Sequence, residues 1–182
     1  PLPLNAQNDV VGIADFNNDG IPELYVGASI LNAMTGEVLF YDTVSISGNN
    51  YYSQVISIAS DVLGNDGIPE LITGKYVYSV ELNNTAGIPG NNITKIQAPP
   101  SVGNGKCAVA DLDGDGQKEI IVLESNNVNL GKTGQLSVWN PATGELLAQV
   151  QNPILPDNSF DGSIPFIGDI DGDCLPEIGV VY

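Results

Sequence analysis

Histidine and arginine are absent from this 182-residue chain. Histidine is the commonest metal ligand and the side chain that most often transfers protons near neutral pH, so its absence argues against zinc centres and histidine-based catalysis. Five lysines stand against 22 acidic residues, giving a formal net charge of -17. A chain of this charge repels the nucleic-acid backbone and anionic membrane surfaces, so we expect neither as a partner.

Cysteine and long apolar runs are also scarce. Cys107 and Cys174 are the only cysteines, too few for a disulfide framework and without metal-site spacing. A disulfide between them is the alternative in an extracellular protein, but their positions in the repeats differ by several residues, so we expect two separate free thiols. No apolar run approaches the roughly 18 residues that cross a bilayer, so no transmembrane segment is predicted. Hydrophobic residues nevertheless make up 42% of the chain, which is typical of a folded domain. We expect one domain over residues 1–182.

The sequence does contain one acidic motif repeated four times. The copies read VVGIADFNNDGIPELYVGA, VISIASDVLGNDGIPELITG, CAVADLDGDGQKEIIVL and PFIGDIDGDCLPEIGVV. Their leading aspartates are Asp15, Asp61, Asp111 and Asp169, separated by 46, 50 and 58 residues. A period near fifty residues indicates propeller blades or another repeat array. The predicted repeats cover approximately residues 8–50, 51–100, 101–160 and 161–182.

Each acidic cluster lies between short runs rich in Val and Ile, which predicts strand, loop, strand. Thr35-Gly36 and Thr143-Gly144 punctuate further apolar runs, as hairpin turns do. The predicted strands cover residues 10–15, 23–28, 29–33, 37–42, 53–60, 70–74, 76–82, 93–97, 106–111, 119–124, 134–140, 144–150, 164–169 and 177–182.

The predicted fold is therefore all-β, a β-propeller of four-stranded antiparallel blades. The fourth repeat has room for only two strands, so we expect an incomplete ring of about three and a half blades. An open arc exposes apolar blade faces, which soluble proteins normally cover. We expect the remainder of a longer parent chain, or another subunit, to cover them.

The spacing of oxygen-bearing residues in the clusters predicts calcium sites. Calcium takes six to eight oxygen ligands, and side chains at loop positions 1, 3, 5 and 9, with a carbonyl at position 7, supply them. The first loop offers Asp15, Asn17, Asp19, the Ile21 carbonyl and Glu23. The third offers Asp111, Asp113, Asp115, the Gln117 carbonyl and Glu119. The fourth offers Asp169, Asp171, Asp173, the Leu175 carbonyl and Glu177, with Cys174 at the turn position that favours glycine.

The second loop departs from this spacing. It has one extra residue between Asp61 and Asp66 and no oxygen-bearing side chain two places after Asp61. A bulged backbone would be needed for coordination by Asp61, Asn65, Asp66, the Ile68 carbonyl and Glu70. Calcium is thus predicted at three loops, with the second left open.

Two other interpretations of the clusters are less consistent with the sequence. Asp, Asn and Gly are common in plain surface turns, but fourteen of the 22 acidic residues crowd into these four loops, where they repel one another without a cation. An EF-hand needs a glutamate at position 12 between helices. Here that position is Val26, Val122 or Val180, inside a predicted strand.

These residues resemble the FG-GAP, or VCBS, repeats of integrin α-subunit propellers and of secreted bacterial proteins. DFNNDGIPELYVGAS is the closest copy, with Gly27-Ala28 matching the "GA" of the name and Ser29 replacing its proline. The other copies keep the loop and lose that tail, so the resemblance is to the broad bacterial-type repeat. It implies a propeller with each calcium loop joining the first two strands of a blade. It also implies an extracellular or cell-surface setting and protein or glycan partners.

The resemblance makes a binding, adhesion or scaffold module the expected function. The alternative is the propeller part of a secreted carbohydrate-active enzyme such as a polysaccharide lyase, which similar repeats also form. The conceivable bases are the tyrosines and Lys75, Lys95, Lys106, Lys118 and Lys132, but no constellation singles one out, so we expect no catalysis. Aromatic residues at 51, 52, 76, 78 and 139 could form a sugar-binding platform, although strand and core positions are favoured for them.

Overall fold

The computed structural model describes residues 10–42, 56–124, 135–151 and 164–180. These ranges contain fourteen β-strands and no helix. Every strand pairing within the sheets is antiparallel, and the strands form three four-stranded sheets and one two-stranded sheet. The all-β fold of four-stranded antiparallel sheets expected from the sequence is confirmed, and the sheets do not close into a barrel.

Each sheet follows chain order. The first contains β1 (Val11–Ala14), β2 (Glu23–Val26), β3 (Ser29–Asn32) and β4 (Val38–Tyr41). The second contains β5 (Ile58–Ser60), β6 (Glu70–Ile72), β7 (Tyr76–Glu81) and β8 (Asn92–Gln97). The third contains β9 (Lys106–Ala110), β10 (Glu119–Leu123), β11 (Gln135–Asn140) and β12 (Glu145–Gln151). The fourth contains β13 (Pro165–Gly168) and β14 (Glu177–Val180).

All fourteen predicted strands have a counterpart, with small differences at their ends. The largest is β5, which begins at Ile58 whereas the sequence predicts a strand from residue 53; residues 53–55 lie outside the described ranges. The predicted hairpin turns are confirmed. Gly36 and Gly144 both have φ of 73°, and Asn32 and Asn140 each accept two backbone N–H groups of the turn that follows.

The sheets pack face to face around two apolar clusters. The cluster between the first and second sheets includes Ile30, Phe40 and Tyr78. The cluster between the second and third includes Ile72 and Trp139. Tyr78 and Trp139 are fully buried, so they are core residues and form no sugar platform; Tyr51 and Tyr52 lie outside the described residues.

The first strands of the four sheets lie side by side. β1 neighbours β5, β5 neighbours β9, and β9 neighbours β13. A parallel bridge between Ile56, just before β5, and Lys106 in β9 shows that two of these strands run in the same direction. The loop that follows each first strand therefore lies close to the corresponding loop of the next sheet. No helix in the described ranges is long and apolar enough to cross a membrane.

Candidate metal-binding loops

All four acidic loops join the first strand of a sheet to the second, as predicted. Positions are numbered as in the other three loops, and the extra residue of the second loop is not counted. The glutamate at position 9 is then the first residue of the second strand in every sheet: Glu23, Glu70, Glu119 and Glu177. The valines at position 12 lie inside β2, β10 and β14. The loops are thus flanked by strands, and the EF-hand alternative is excluded for them.

The glutamate closes each loop through the same hydrogen bond. One of its carboxylate oxygens accepts the backbone N–H of the residue that follows the leading aspartate. The donor to acceptor distances are 3.0 Å for Phe16 to Glu23, 2.9 Å for Val62 to Glu70, 2.9 Å for Leu112 to Glu119 and 2.6 Å for Ile170 to Glu177. The second carboxylate oxygen of each glutamate is left as a candidate metal ligand.

The leading aspartate fixes the turn from the other side. It accepts the N–H of the residue at position 6, at 2.8 Å from Gly20 to Asp15, 2.7 Å from Gly67 to Asp61, 2.9 Å from Gly116 to Asp111 and 3.0 Å from Cys174 to Asp169. The aspartate at position 5 accepts the N–H two residues later in every loop, including Asp66 from Ile68 at 2.9 Å. The second loop therefore keeps the hydrogen-bond frame of the other three despite its extra residue.

Backbone conformation explains how the extra residue is accommodated. The residue before the position-5 aspartate has positive φ in all four loops: 57° at Asn18, 50° at Asn65, 76° at Gly114 and 83° at Gly172. In the second loop Gly64 also has positive φ, 81°, a conformation that glycine adopts without steric cost. Gly64 stands where the first loop has Asn17, so the second loop has no side-chain ligand at that place.

Two of the loops bring three carboxylates close together. Asp111, Asp113 and Asp115 have ligand atoms within 4.8 Å of one another, and so have Asp169, Asp171 and Glu177. In the first loop the central position is Asn17, whose amide nitrogen donates to Asp19 at 3.0 Å. In the second loop Asp61 Oδ1 is buried and has no hydrogen-bond partner among the described residues.

The electrostatics of the loops favour a bound cation. Burial raises the pKa of Glu23, Glu70 and Glu119, and the charges of neighbouring aspartates raise each of them further. For Asp15, burial acts to raise the pKa, but hydrogen bonds from the backbone of residues 17–20 outweigh it and lower the pKa. Carboxylates held charged beside buried carboxylates repel one another, and a divalent cation removes that repulsion.

The donor set fits a hard cation. Every predicted side-chain ligand in the four loops offers oxygen, and none of them is an imidazole or a thiolate. Cys174 lies beside the ligands of the fourth loop but is not one of them. Calcium and magnesium bind oxygen ligands, whereas structural zinc sites use Cys and His. The buried Asp61 Oδ1, which has no hydrogen-bond partner among the described residues, is consistent with a loop that binds an ion. All twenty predicted ligand residues lie in these loops, and their roles as ligands stay predictions.

The lysines are dispersed over the described structure. Lys95 forms an ion pair with Asp42 and lies 3.8 Å from the centre of the Tyr76 ring. Lys106 is buried in β9, and Lys118 donates to Ser60 at 3.3 Å. Lys132 lies outside the described residues. The pairing of Lys95 with Asp42 was not predictable from the sequence, because residues 53 apart carry no local signal of contact.

Comparison with known proteins shows a likeness in fold and none in sequence. No family model matches the chain, and no curated protein matches it in sequence. The fold is similar to part of the crystal structure of the V. cholerae biofilm matrix protein Bap1, with a TM-score of 0.52 and 21% sequence identity. The match covers 78% of this chain and 20% of that one, so this chain spans about a fifth of the length of its structural neighbour.

Proposed function

We propose that this chain is a calcium-stabilised binding or scaffold module of a secreted or cell-surface protein, built from β-propeller blades of the FG-GAP or VCBS type. The observation that carries the proposal is the same closed, oxygen-lined loop at the same place in four successive sheets. Repeated metal loops of this kind stabilise a fold by neutralising charge and tying two strands together. They leave the rest of the surface for a ligand.

The packing of the sheets supports propeller blades. In a propeller the first strand of each blade lines a central axis and successive blades stack face to face. Here the first strands of the four sheets are neighbours in chain order, and apolar clusters fill the spaces between the first three sheets. The sheet order within each group is the simple meander that a blade requires.

Calcium is the proposed ion in all four loops. Magnesium prefers octahedral sites that keep several waters and use one or two carboxylates. The third loop supplies four carboxylates and a carbonyl within nine residues, which suits the larger coordination number of calcium. The shared frame of the second loop and its unpartnered Asp61 oxygen extend the proposal to that loop.

An extracellular setting fits both the ion and the structural neighbour. Extracellular modules bind calcium with dissociation constants of roughly 10⁻⁴ to 10⁻³ M, and sites on exposed loops are of the open kind that such affinities require. The neighbour in fold is a biofilm matrix protein. We therefore propose protein or glycan partners and no catalytic role for this segment, since its acidic residues are concentrated in the metal loops.

The outer face of the first sheet is the proposed site of a further blade. In the second sheet, Ala59 and Tyr78 pack against the preceding sheet. In the first sheet Ile13 is equivalent to Ala59, because each lies two residues before its leading aspartate. Leu31 is equivalent to Tyr78 in the register of the paired strands. Ile13 is 66% exposed and Val11, two residues before it, is 60% exposed, whereas Leu31 is buried, so the open part of this face lies along β1. Because the equivalent positions are packed in the next sheet, a sheet of the same repeat type is the partner that fits.

Thermal unfolding with and without chelator tests the proposed metal. At a calcium concentration 100 times its dissociation constant, each site contributes about 2.7 kcal/mol. Removing calcium should therefore lower the melting temperature by more than about 5 °C. Calcium should restore it at concentrations where magnesium does not. An unchanged melting curve in excess chelator contradicts the proposal.

A further inference from the structure

The second and third acidic loops are joined to each other by two hydrogen bonds. The amide nitrogen of Asn65 donates to the carbonyl oxygen of Gly116 at 3.3 Å. The ammonium group of Lys118 donates to the hydroxyl of Ser60, also at 3.3 Å. Both bonds cross from one sheet to the next, so they connect loops that separate repeats provide.

The bonded groups stand directly beside candidate ligands. Ser60 precedes Asp61, and Asn65 precedes Asp66. Gly116 follows Asp115, and its own N–H is held by Asp111 at 2.9 Å. An ion that orders either loop therefore also fixes a donor or an acceptor of the link between them.

The side chain of Asn65, and not its backbone conformation, distinguishes the second loop at this place. In the third and fourth loops the equivalent position is glycine, with φ of 76° and 83°. Asn65 adopts φ of 50°, a left-handed conformation that asparagine tolerates better than most residues. The first loop also has an asparagine here, Asn18, but within the described ranges its side chain makes no hydrogen bond to the second loop.

We infer that the second and third loops bind their ions cooperatively and that Asn65 is the residue that couples them. The inference rests on the proposed function, because it concerns the same loops. Ordering one loop removes part of the conformational entropy that its neighbour must lose on binding, which produces positive coupling without a change of fold. Coupling between sites is commonly about fivefold or more in affinity.

Repulsion between the two bound cations opposes this coupling. At an ionic strength of 0.15 M, charges separated by more than about 8 Å are largely screened, whereas a hydrogen bond is not. The link should therefore dominate in physiological salt, and the coupling should strengthen as salt is added. That dependence separates a hydrogen-bonded link from a purely electrostatic one.

Residue-specific calcium titration by NMR of the intact chain tests the inference. Asp66→Asn removes a charge from the second loop while keeping the shape of the side chain. We expect it to weaken calcium binding at the third loop, followed through the amides of Asp115 and Gln117, by about fivefold. Binding at the first loop, followed through the Gly20 amide, should stay unchanged.

Asn65→Gly identifies the residue responsible. Glycine accepts the positive φ and lacks the amide, so in this background Asp66→Asn should affect the third loop by clearly less than fivefold, with only the Lys118 to Ser60 hydrogen bond remaining. Asn18→Gly is the matched control, and there the fivefold effect should persist. A third loop that ignores Asp66→Asn overturns the coupling while leaving calcium binding intact. A third loop that responds equally with and without Asn65 overturns the assignment of Asn65 as the coupling residue and leaves the Lys118 to Ser60 hydrogen bond as the link. Failure of all four loops to bind calcium overturns the proposed function and the coupling together.

Discussion

Cys174 adopts a left-handed backbone conformation that favours glycine over a residue with a side chain. It occupies the turn position of the fourth loop with φ of 74°, where the other three loops have Gly20, Gly67 and Gly116 at φ between 84° and 88°. The sequence predicted this conflict from position alone, because the loop spacing fixes which residue must turn. A side chain with a Cβ in the left-handed region costs roughly 1 kcal/mol relative to glycine.

Replacing this cysteine by glycine should stabilise the protein. We expect Cys174→Gly to raise the free energy of unfolding by about 1 kcal/mol in denaturant titrations at saturating calcium. Cys174→Ala is the matched control, since it removes the thiol and retains the Cβ, and should give no gain. Equal stability of the two variants would show that the turn is not strained.

The two thiols should differ sharply in reactivity. Cys107 is buried, and its thiol donates to the Ile56 carbonyl at 2.8 Å. Burial raises the pKa of Cys107 to about 12, whereas Cys174 is exposed. Because the thiolate is the reactive form, an alkylating reagent at pH 8 should modify Cys174 alone in the folded protein. Mass spectrometry should show a second addition only after unfolding. Rapid double modification of the native protein would contradict the buried position of Cys107.

At the scale of elements, the strands and loops were predictable because each carries a local periodic signal. The Asp, Asn and Gly residues of each acidic loop predict a turn, and short Val- and Ile-rich runs on either side predict the strands. The course of the second loop was not predictable. Its extra residue is absorbed by successive positive φ values at Gly64 and Asn65, and only the three-dimensional frame shows that Glu70 and Asp61 still close it.

The side chain of Asn91 makes four of the hydrogen bonds that order the connection between β7 and β8. The amide nitrogen of Asn91 donates to the carbonyl oxygens of Leu39, Asn84 and Gly87 at 3.0 to 3.1 Å. Its oxygen accepts the Asn84 N–H at 2.7 Å. The Asn91 side chain thus bonds to the backbone of its own connection and to Leu39 in β4 of the neighbouring sheet.

Asn91→Asp should therefore destabilise the protein by about 1 to 3 kcal/mol, because it keeps the acceptor and loses the donors. Asn83→Asp is the control, since Asn83 is exposed and donates only to Gly90 at 3.3 Å, and it should change the free energy of unfolding by less than about 0.5 kcal/mol. Denaturant titration measures both. Similar losses in the two variants would show that the connection does not depend on Asn91.

At the scale of the whole molecule, the exposed outer face of the first sheet is where we propose that another sheet docks. Val11 and Ile13 lie on the face that the second sheet buries at equivalent positions. The strand count of the sequence predicts open blade faces, and this stays a prediction. The exposed residues could not be predicted from the sequence, because burial depends on how the sheets stack.

An isolated chain of residues 1–182 should self-associate through this face in a concentration-dependent way. Ile13→Lys places a charge on this face, which should weaken self-association and lower the weight-average molar mass measured by light scattering. Met34→Lys is the control, because Met34 is 83% exposed and lies in the hairpin turn between β3 and β4 rather than in β1, and it should leave association unchanged. A wild-type chain that stays monomeric at all concentrations would contradict the proposed docking of a further sheet.

Counting bound ions tests the central claim most directly. Native mass spectrometry of the chain in calcium-containing buffer should show up to four calcium ions per molecule, one for each acidic loop, and Asp113→Ala should remove one of them. The loss of one is expected because Asp113 belongs to the three-carboxylate cluster of the third loop. A wild-type protein that retains no calcium, or a variant that retains as many ions as the wild type, would contradict the assignment of these loops as metal sites.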